Sequence, residues 1–126
     1  MVDATRAGNE ALTMTVESEP GGMGCSRCGV VAHGRVEVRL IDLPWAGRPV
    51  TIGWRKRRGV CPEPSCPVVS FVEQDEQVAV PRGKLTARAR RWAIQQIRRE
   101  HASVNGVRCQ LGCGWHTMWE AIMPLL

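Results

Sequence analysis

The chain has 126 residues, 44% of them hydrophobic and 23% charged, and a net charge of +5. That length allows one ordinary domain or two small ones. It holds nothing close to the roughly 18 consecutive apolar residues of a membrane span, and residues 1–24 lack the continuous apolar core of a secretory signal. The charge is segregated. Residues 1–24 set Asp3, Glu10, Glu17 and Glu19 against Arg6, a balance of −3, which leaves +8 on the rest of a chain whose total is +5. A basic body of this kind suits a polyanionic partner, although a solvated basic surface gives the same composition.

Residues 1–22 are polar, contain Gly and Thr, and show no sustained periodicity, so a disordered tail is expected there. Next comes Cys25-Ser26-Arg27-Cys28, answered 32 residues later by Cys61-Pro62-Glu63-Pro64-Ser65-Cys66. Two close cysteine pairs can surround one tetrahedral zinc ion with four thiolates. The prediction is therefore a structural zinc site with ligands Cys25, Cys28, Cys61 and Cys66 and no open coordination position. Two disulfides would use the same residues but lack a secretory context, and a thioredoxin-like redox centre needs one CxxC near a βαβ pattern rather than two pairs. The expected compartment is a reducing cytoplasm.

Between the pairs, residues 35–42 alternate: Val36, Val38 and Leu40 share one face, Glu37, Arg39 and Ile41 the other. Residues 43–49 hold the breakers of a turn or loop. Residues 50–57 alternate again, with Val50, Ile52 and Trp54 on one face. An antiparallel hairpin with cysteine pairs at its ends follows, a small zinc-ribbon-like unit over residues 23–74. The run Arg55-Lys56-Arg57-Arg58 just ahead of Cys61 either offsets the anionic metal centre, touches phosphate or is simply solvated. Residues 75–83, with Asp75, Glu76, Pro81 and Gly83, are expected to be a linker.

From Lys84 to about Glu100 the period becomes helical. Leu85, Ala89, Trp92, Ala93 and Ile97 form an apolar stripe, while Lys84, Arg88, Arg91, Arg98 and Arg99 lie on another arc with no acid before Glu100. Phosphate contact is expected on that arc. Beyond it, a helix holding Val107 and Leu111 ends at Gly112, and a second starts near Trp115 with Met118, Ala121 and Ile122 inward. Glycine stands where the turn of a helix-turn-helix needs a left-handed residue; a packed helical hairpin is the alternative. Arg108 stands where a small residue normally lets the two helices approach. Cys109 and Cys113 are read as packing residues rather than a second metal site. The predicted class is α+β, a zinc-ribbon-like β-hairpin unit followed by an all-α helix-turn-helix unit over residues 84–126.

Together, CSRCG, GRVEVRLIDLPWAGRPV, CPEPSCPVVSF and QLGCGWHTMWEAIMPLL resemble the N-terminal region of the ISL-three family of bacterial insertion-sequence transposases, over roughly residues 24–126. The resemblance implies a zinc finger and helix-turn-helix that bind the ends of the element, with cutting and joining left to a later acidic-triad domain that is not among these residues. It implies zinc on Cys25, Cys28, Cys61 and Cys66, no catalytic residue in this segment, and a bacterial, nucleoid-associated protein. The expected partner is double-stranded DNA, with self-association left open and neither a membrane nor a small-molecule substrate. Outward residues of the last helix, His116, Thr117 and Glu120, are the candidates for reading bases. The alternatives are a regulator derived from such a transposase, or a zinc-ribbon module for protein or RNA with Trp45 as an apolar anchor at the hairpin tip.

Overall fold

The computed structural model describes residues 2–7, 11–19, 23–24, 31–32, 34–61, 65, 67–68 and 70–125. Its backbone is organised by a long hairpin, β5 (Arg35–Trp45) and β6 (Arg48–Val60), after four shorter strands: β1 (Val2–Ala7), β2 (Ala11–Glu17), β3 (Met23–Gly24) and β4 (Val31–Ala32). The pairing Val38↔Trp54, Leu40↔Ile52 and Asp42↔Val50 puts the alternating apolar residues on one face, as their period-two spacing requires. The hairpin closes on Ala46 and Gly47, with φ of 51° and 73°. Both signs are positive, the geometry that matches the twist of flanking strands in a two-residue turn. The turn is thus narrower than the 43–49 loop expected from composition. Leu43 and Pro44 are part of β5 at a register shift between Asp42 and Trp45, a place where a proline without an N–H is tolerated.

Where a disordered tail is expected, the described residues 2–7 and 11–17 are instead strands, β1 and β2, which extend the sheet to the order β1-β2-β6-β5. β2 runs parallel to β6 with Leu12↔Val50, Met14↔Ile52 and Val16↔Trp54, which continues the apolar face across three strands. The physical reason is the open edge of β6, whose backbone groups need partners, together with the alternation of Leu12, Met14 and Val16 with Thr13 and Thr15. Trp54 Nε1 donates to Ser18 Oγ at 3.0 Å and so ties the end of β2 to the core. β7 (Ser70–Val72) pairs with the far end of β6, and β3 pairs with β4 in a separate two-stranded sheet.

The 75–83 segment, expected as a linker, is a packed strap. Val78 and Ala79 join Leu40, Trp54, Val38, Ile52 and Val16 in one apolar cluster. Its turn is held by the Asp75 carbonyl, which accepts from the Val78 and Ala79 N–H groups at 2.9 and 3.0 Å. The chain then bridges to the free edge of β5 at Ile41, whose N–H donates to Lys84 C=O at 2.8 Å and whose C=O accepts from Thr86 N–H at 2.9 Å.

Three helices follow: α1 (Ala87–Arg98), α2 (Val104–Leu111) and α3 (Trp115–Ile122), with a 3-10 turn at Met123–Leu125. Thr86 caps α1 by accepting from Ala89 N–H, and Ser103 caps α2 by accepting from Gly106 N–H at 2.9 Å. Leu85, Ala89, Ala93, Val107, Leu111, Met118 and Ile122 form a second buried cluster, and Ile41 of β5 packs against it. Leu40 and Ile41, pointing to opposite sides of β5, therefore serve the two cores in turn.

Gly112 ends α2 at φ 73°, with its N–H on the Arg108 and Cys109 carbonyls. A Cβ there would stand 2.8 Å from Pro49 Cβ, so the helix turn also abuts the hairpin. Gly112→Ala should thus lower unfolding free energy by about 1–3 kcal/mol, from left-handed strain plus the clash. Urea denaturation measures it; an unchanged midpoint would mean that the turn relaxes freely.

Candidate metal centre and nucleic-acid interface

Of the four predicted zinc ligands, Cys25, Cys28 and Cys66 lie outside the described residues. Cys61 is half-buried, immediately after β6. The backbone does show what meets at that end. Residues 25–30 connect β3 to β4, which pair as Met23↔Ala32 and Gly24↔Val31, and both strands touch β6. The β5–β6 ladder runs on past Arg35↔Arg57 through Arg58 N–H, which donates to Gly34 C=O at 3.0 Å. The chain that enters β5 from β4 thus runs beside the end of β6 that delivers Cys61. A soft, cysteine-only donor set is suited to zinc. The other two cysteines behave differently. Cys109 is exposed, while Cys113 is half-buried against the helical core, and burial pushes its thiol pKa up, against the chemistry of a ready metal ligand.

The strand alternation breaks up the basic run before Cys61. Lys56 is buried with its Nζ 5.0 Å from the Trp54 ring centre, and Arg57 is committed to Glu73, whose carboxylate accepts from the Arg57 backbone N–H at 3.0 Å and guanidinium at 3.2 Å. Burial raises the Glu73 pKa, but these bonds and one to Ser18 outweigh it and hold the group at about 2. Arg55 and Arg58 remain exposed.

The predicted basic arc of α1 is likewise divided. Lys84, Arg91, Arg98 and Arg99 are exposed, and Arg98 donates to Leu125 C=O at 2.9 Å. Arg88 is instead captured by Asp42, a buried carboxylate on β5, with Nε donating to Oδ1 at 2.8 Å. Thr86 Oγ1 donates to the same oxygen at 2.7 Å. Desolvation pushes the Asp42 pKa up, but the Arg88, Thr86 and Leu43 N–H hydrogen bonds and the guanidinium charge outweigh it and keep the carboxyl below its ordinary value. Arg88 therefore joins sheet to helix while 58% of its side-chain surface stays exposed. Asp42 carried a readable signal: it is a charged residue in phase with Val38 and Leu40.

On α3, His116 and Glu120 are exposed and Thr117 is half-buried. Trp115 is 46% exposed and stacks on Trp119 at 5.3 Å between ring centroids, while Trp119 packs on the helical core. Arg108 Nε donates to Asn105 Oδ1 at 2.8 Å and Nη1 to the Cys113 carbonyl at 3.5 Å, so its head reaches over the α2–α3 turn, and the two helices still pack. Arg82 and Arg90, which the sequence pattern did not single out, line a notch with Lys84, Thr117 and Glu120.

Residues 22–66 match the family model described as the zinc-finger of transposase IS204/IS1001/IS1096/IS1165. The match spans β3 to Cys66 and includes all four cysteines of the two pairs, and zinc is the metal that such a ribbon implies. No curated protein and no solved structure is significantly similar to the chain. Among the described residues, no helix is long and apolar enough to cross a membrane.

Proposed function

We propose that the chain is a double-stranded DNA-binding part of a transposase that recognises the ends of an insertion sequence. The observation that carries this reading is the transposase zinc-finger match over residues 22–66, on a hairpin joined through β5 to the three helices. In this reading Cys25, Cys28, Cys61 and Cys66 hold one zinc ion. The metal supplies cross-linking energy at the cysteine end of the hairpin, and no reaction is assigned to these residues. α2 and α3, with left-handed Gly112 between them, act as a helix-turn-helix. α3 lies in the major groove, with His116 donating to guanine or phosphate, Glu120 accepting from cytosine N4 and Thr117 touching base or phosphate. Lys84, Arg91, Arg98 and Arg99 contact phosphates; Arg88 holds the geometry through Asp42 instead.

One observation favours a second reading, a protein-binding ribbon. Trp45 is 64% exposed at the hairpin tip, beside an apolar recess lined by Leu12, Met14, Leu43, Pro44 and Val50.

A selection for preferred duplexes separates the two. His116→Ala or Thr117→Ala should weaken binding to the selected duplex by about 1–3 kcal/mol and affect a scrambled duplex much less. Equal losses on both would remove α3 from base reading, and failure to enrich any duplex would favour the protein-binding ribbon.

A further inference from the structure

The notch between the 80–85 loop and α3 has a volume of about 200 Å³, and Arg82, Lys84, Arg90, Thr117, Glu120 and Ala121 contribute to its walls. Three cations from two separate elements meet there. Among the described residues, no carboxylate is within ion-pair distance of Arg82, Lys84 or Arg90, whereas Arg35, Arg55, Arg57 and Arg88 each have one. Glu120 shares the notch without pairing to any of the three. Charge left uncompensated in a concave site beside an exposed helix face is suited to an anion supplied from outside.

We propose that this notch seats a backbone phosphate of duplex DNA, with Arg82 and Arg90 as its principal contacts. The inference rests on the DNA-binding reading above and adds two residues and a location to it. The walls are built before any ligand arrives. Arg82 has φ 61°, Gly83 N–H donates back to Val80 C=O at 2.9 Å, and the Lys84 carbonyl is fixed to Ile41. Arg90 is half-buried on α1, so its stem is held and only its head is free to turn. The loop backbone and the Arg90 stem are thus set beforehand, and the exposed Arg82 side chain supplies the part that orders on binding. Thr117 lies between the notch and the outward face of α3 and adds a hydroxyl donor. Glu120 repels an anion from its own side of the notch, which favours a phosphate held against Arg82 and Arg90. A phosphate seated beside α3 fixes the depth and register of that helix in the groove without reading sequence itself.

The test uses the full zinc-loaded chain and measures affinity for a fluorescent duplex from about 50 to 200 mM salt. Four proteins are compared: the parent, Arg82→Asn, the double variant Arg82→Asn/Arg90→Gln, and Arg55→Gln. Asparagine removes the charge and tolerates a positive φ. Arg55 lies on β6 outside the notch and serves as a charge-matched control. The expected result is a shallower salt dependence, by about 0.9 in log–log slope for Arg82→Asn and about 1.8 for the double variant. The loss should be equal on selected and scrambled duplexes, and Arg55→Gln should keep the parental slope. Should Arg90→Gln fail to fold by circular dichroism, the exposed-loop variant Arg82→Asn decides alone. Parental slopes in the notch variants, with a parent that binds duplex, would overturn the seat and leave the DNA reading standing. An equal loss in Arg55→Gln would also overturn it, by reducing the effect to net charge, as would equal competition by single-stranded DNA or RNA. A parent that binds no duplex would overturn both.

Discussion

Freshly purified, reduced protein should carry about one zinc ion per chain, and Cys61→Ser should lose it together with order at the cysteine end of the hairpin. The effect is expected to be large, because metal binding and folding are one process in a structural site and the apparent binding free energies of such sites are on the order of 10–16 kcal/mol. Cys61 stands directly after β6, whose last residues pair with β7, so the loss should spread to Arg58↔Val72 and Gly59↔Phe71. The helical core, built around Val107, Leu111, Met118 and Ile122, is remote in sequence from the metal and should outlast it. Elemental analysis with amide exchange reads both effects. Stoichiometric zinc in Cys61→Ser would remove that residue from the ligand set. A parental value near two would turn attention back to Cys109 and Cys113.

Asp42→Ala should destabilise the fold by about 2–4 kcal/mol, since it strips a buried acceptor from Thr86 and leaves the Arg88 guanidinium without its counter-charge. The exposed side of Arg88 moderates the loss, and so the lower half of that range is favoured. Thr86 is also the N-cap of α1. The substitution therefore loosens the start of that helix and the joint between sheet and helices at once. The same carboxylate gives a pH dependence. Asp42 and Glu73 both have folded-state pKa values below their ordinary ones. Their stabilisation is then fully present above the unfolded-state values and is lost as pH falls through the folded-state values, which for Glu73 means from about 4.5 down to about 2. Denaturant midpoints measured from neutral pH to about 2 should fall through this window. Asp42→Ala should flatten the fall; an unchanged profile would show that the pair contributes nothing.

What could be seen in the sequence was local. The cysteine spacing, the alternation of Val36, Val38 and Leu40 with Glu37, Arg39 and Ile41, and the left-handed demand at Gly112 are short-range signals, and β5, β6 and the α2 terminus lie where they indicate. What was hidden is non-local. β2 is threonine-rich and pairs in parallel with a strand far along the chain, so its short alternation looked like tail. The strap carries an acidic, linker-like composition, yet Val78 and Ala79 are enough to anchor it. Helical periodicity put Arg88 on a basic arc and could not reveal Asp42 across the strand. Lys56 shows the same limit, since its place in phase with Trp54 turns one member of a basic run into a core residue.

The central claim, that this ribbon and its helices grip duplex DNA through phosphates, is tested most directly by the affinity of the zinc-loaded chain for duplex as a function of salt. Four to six phosphate contacts predict a straight log–log dependence with a slope of about −4 to −5. A slope near zero, or no binding at low salt, would contradict it.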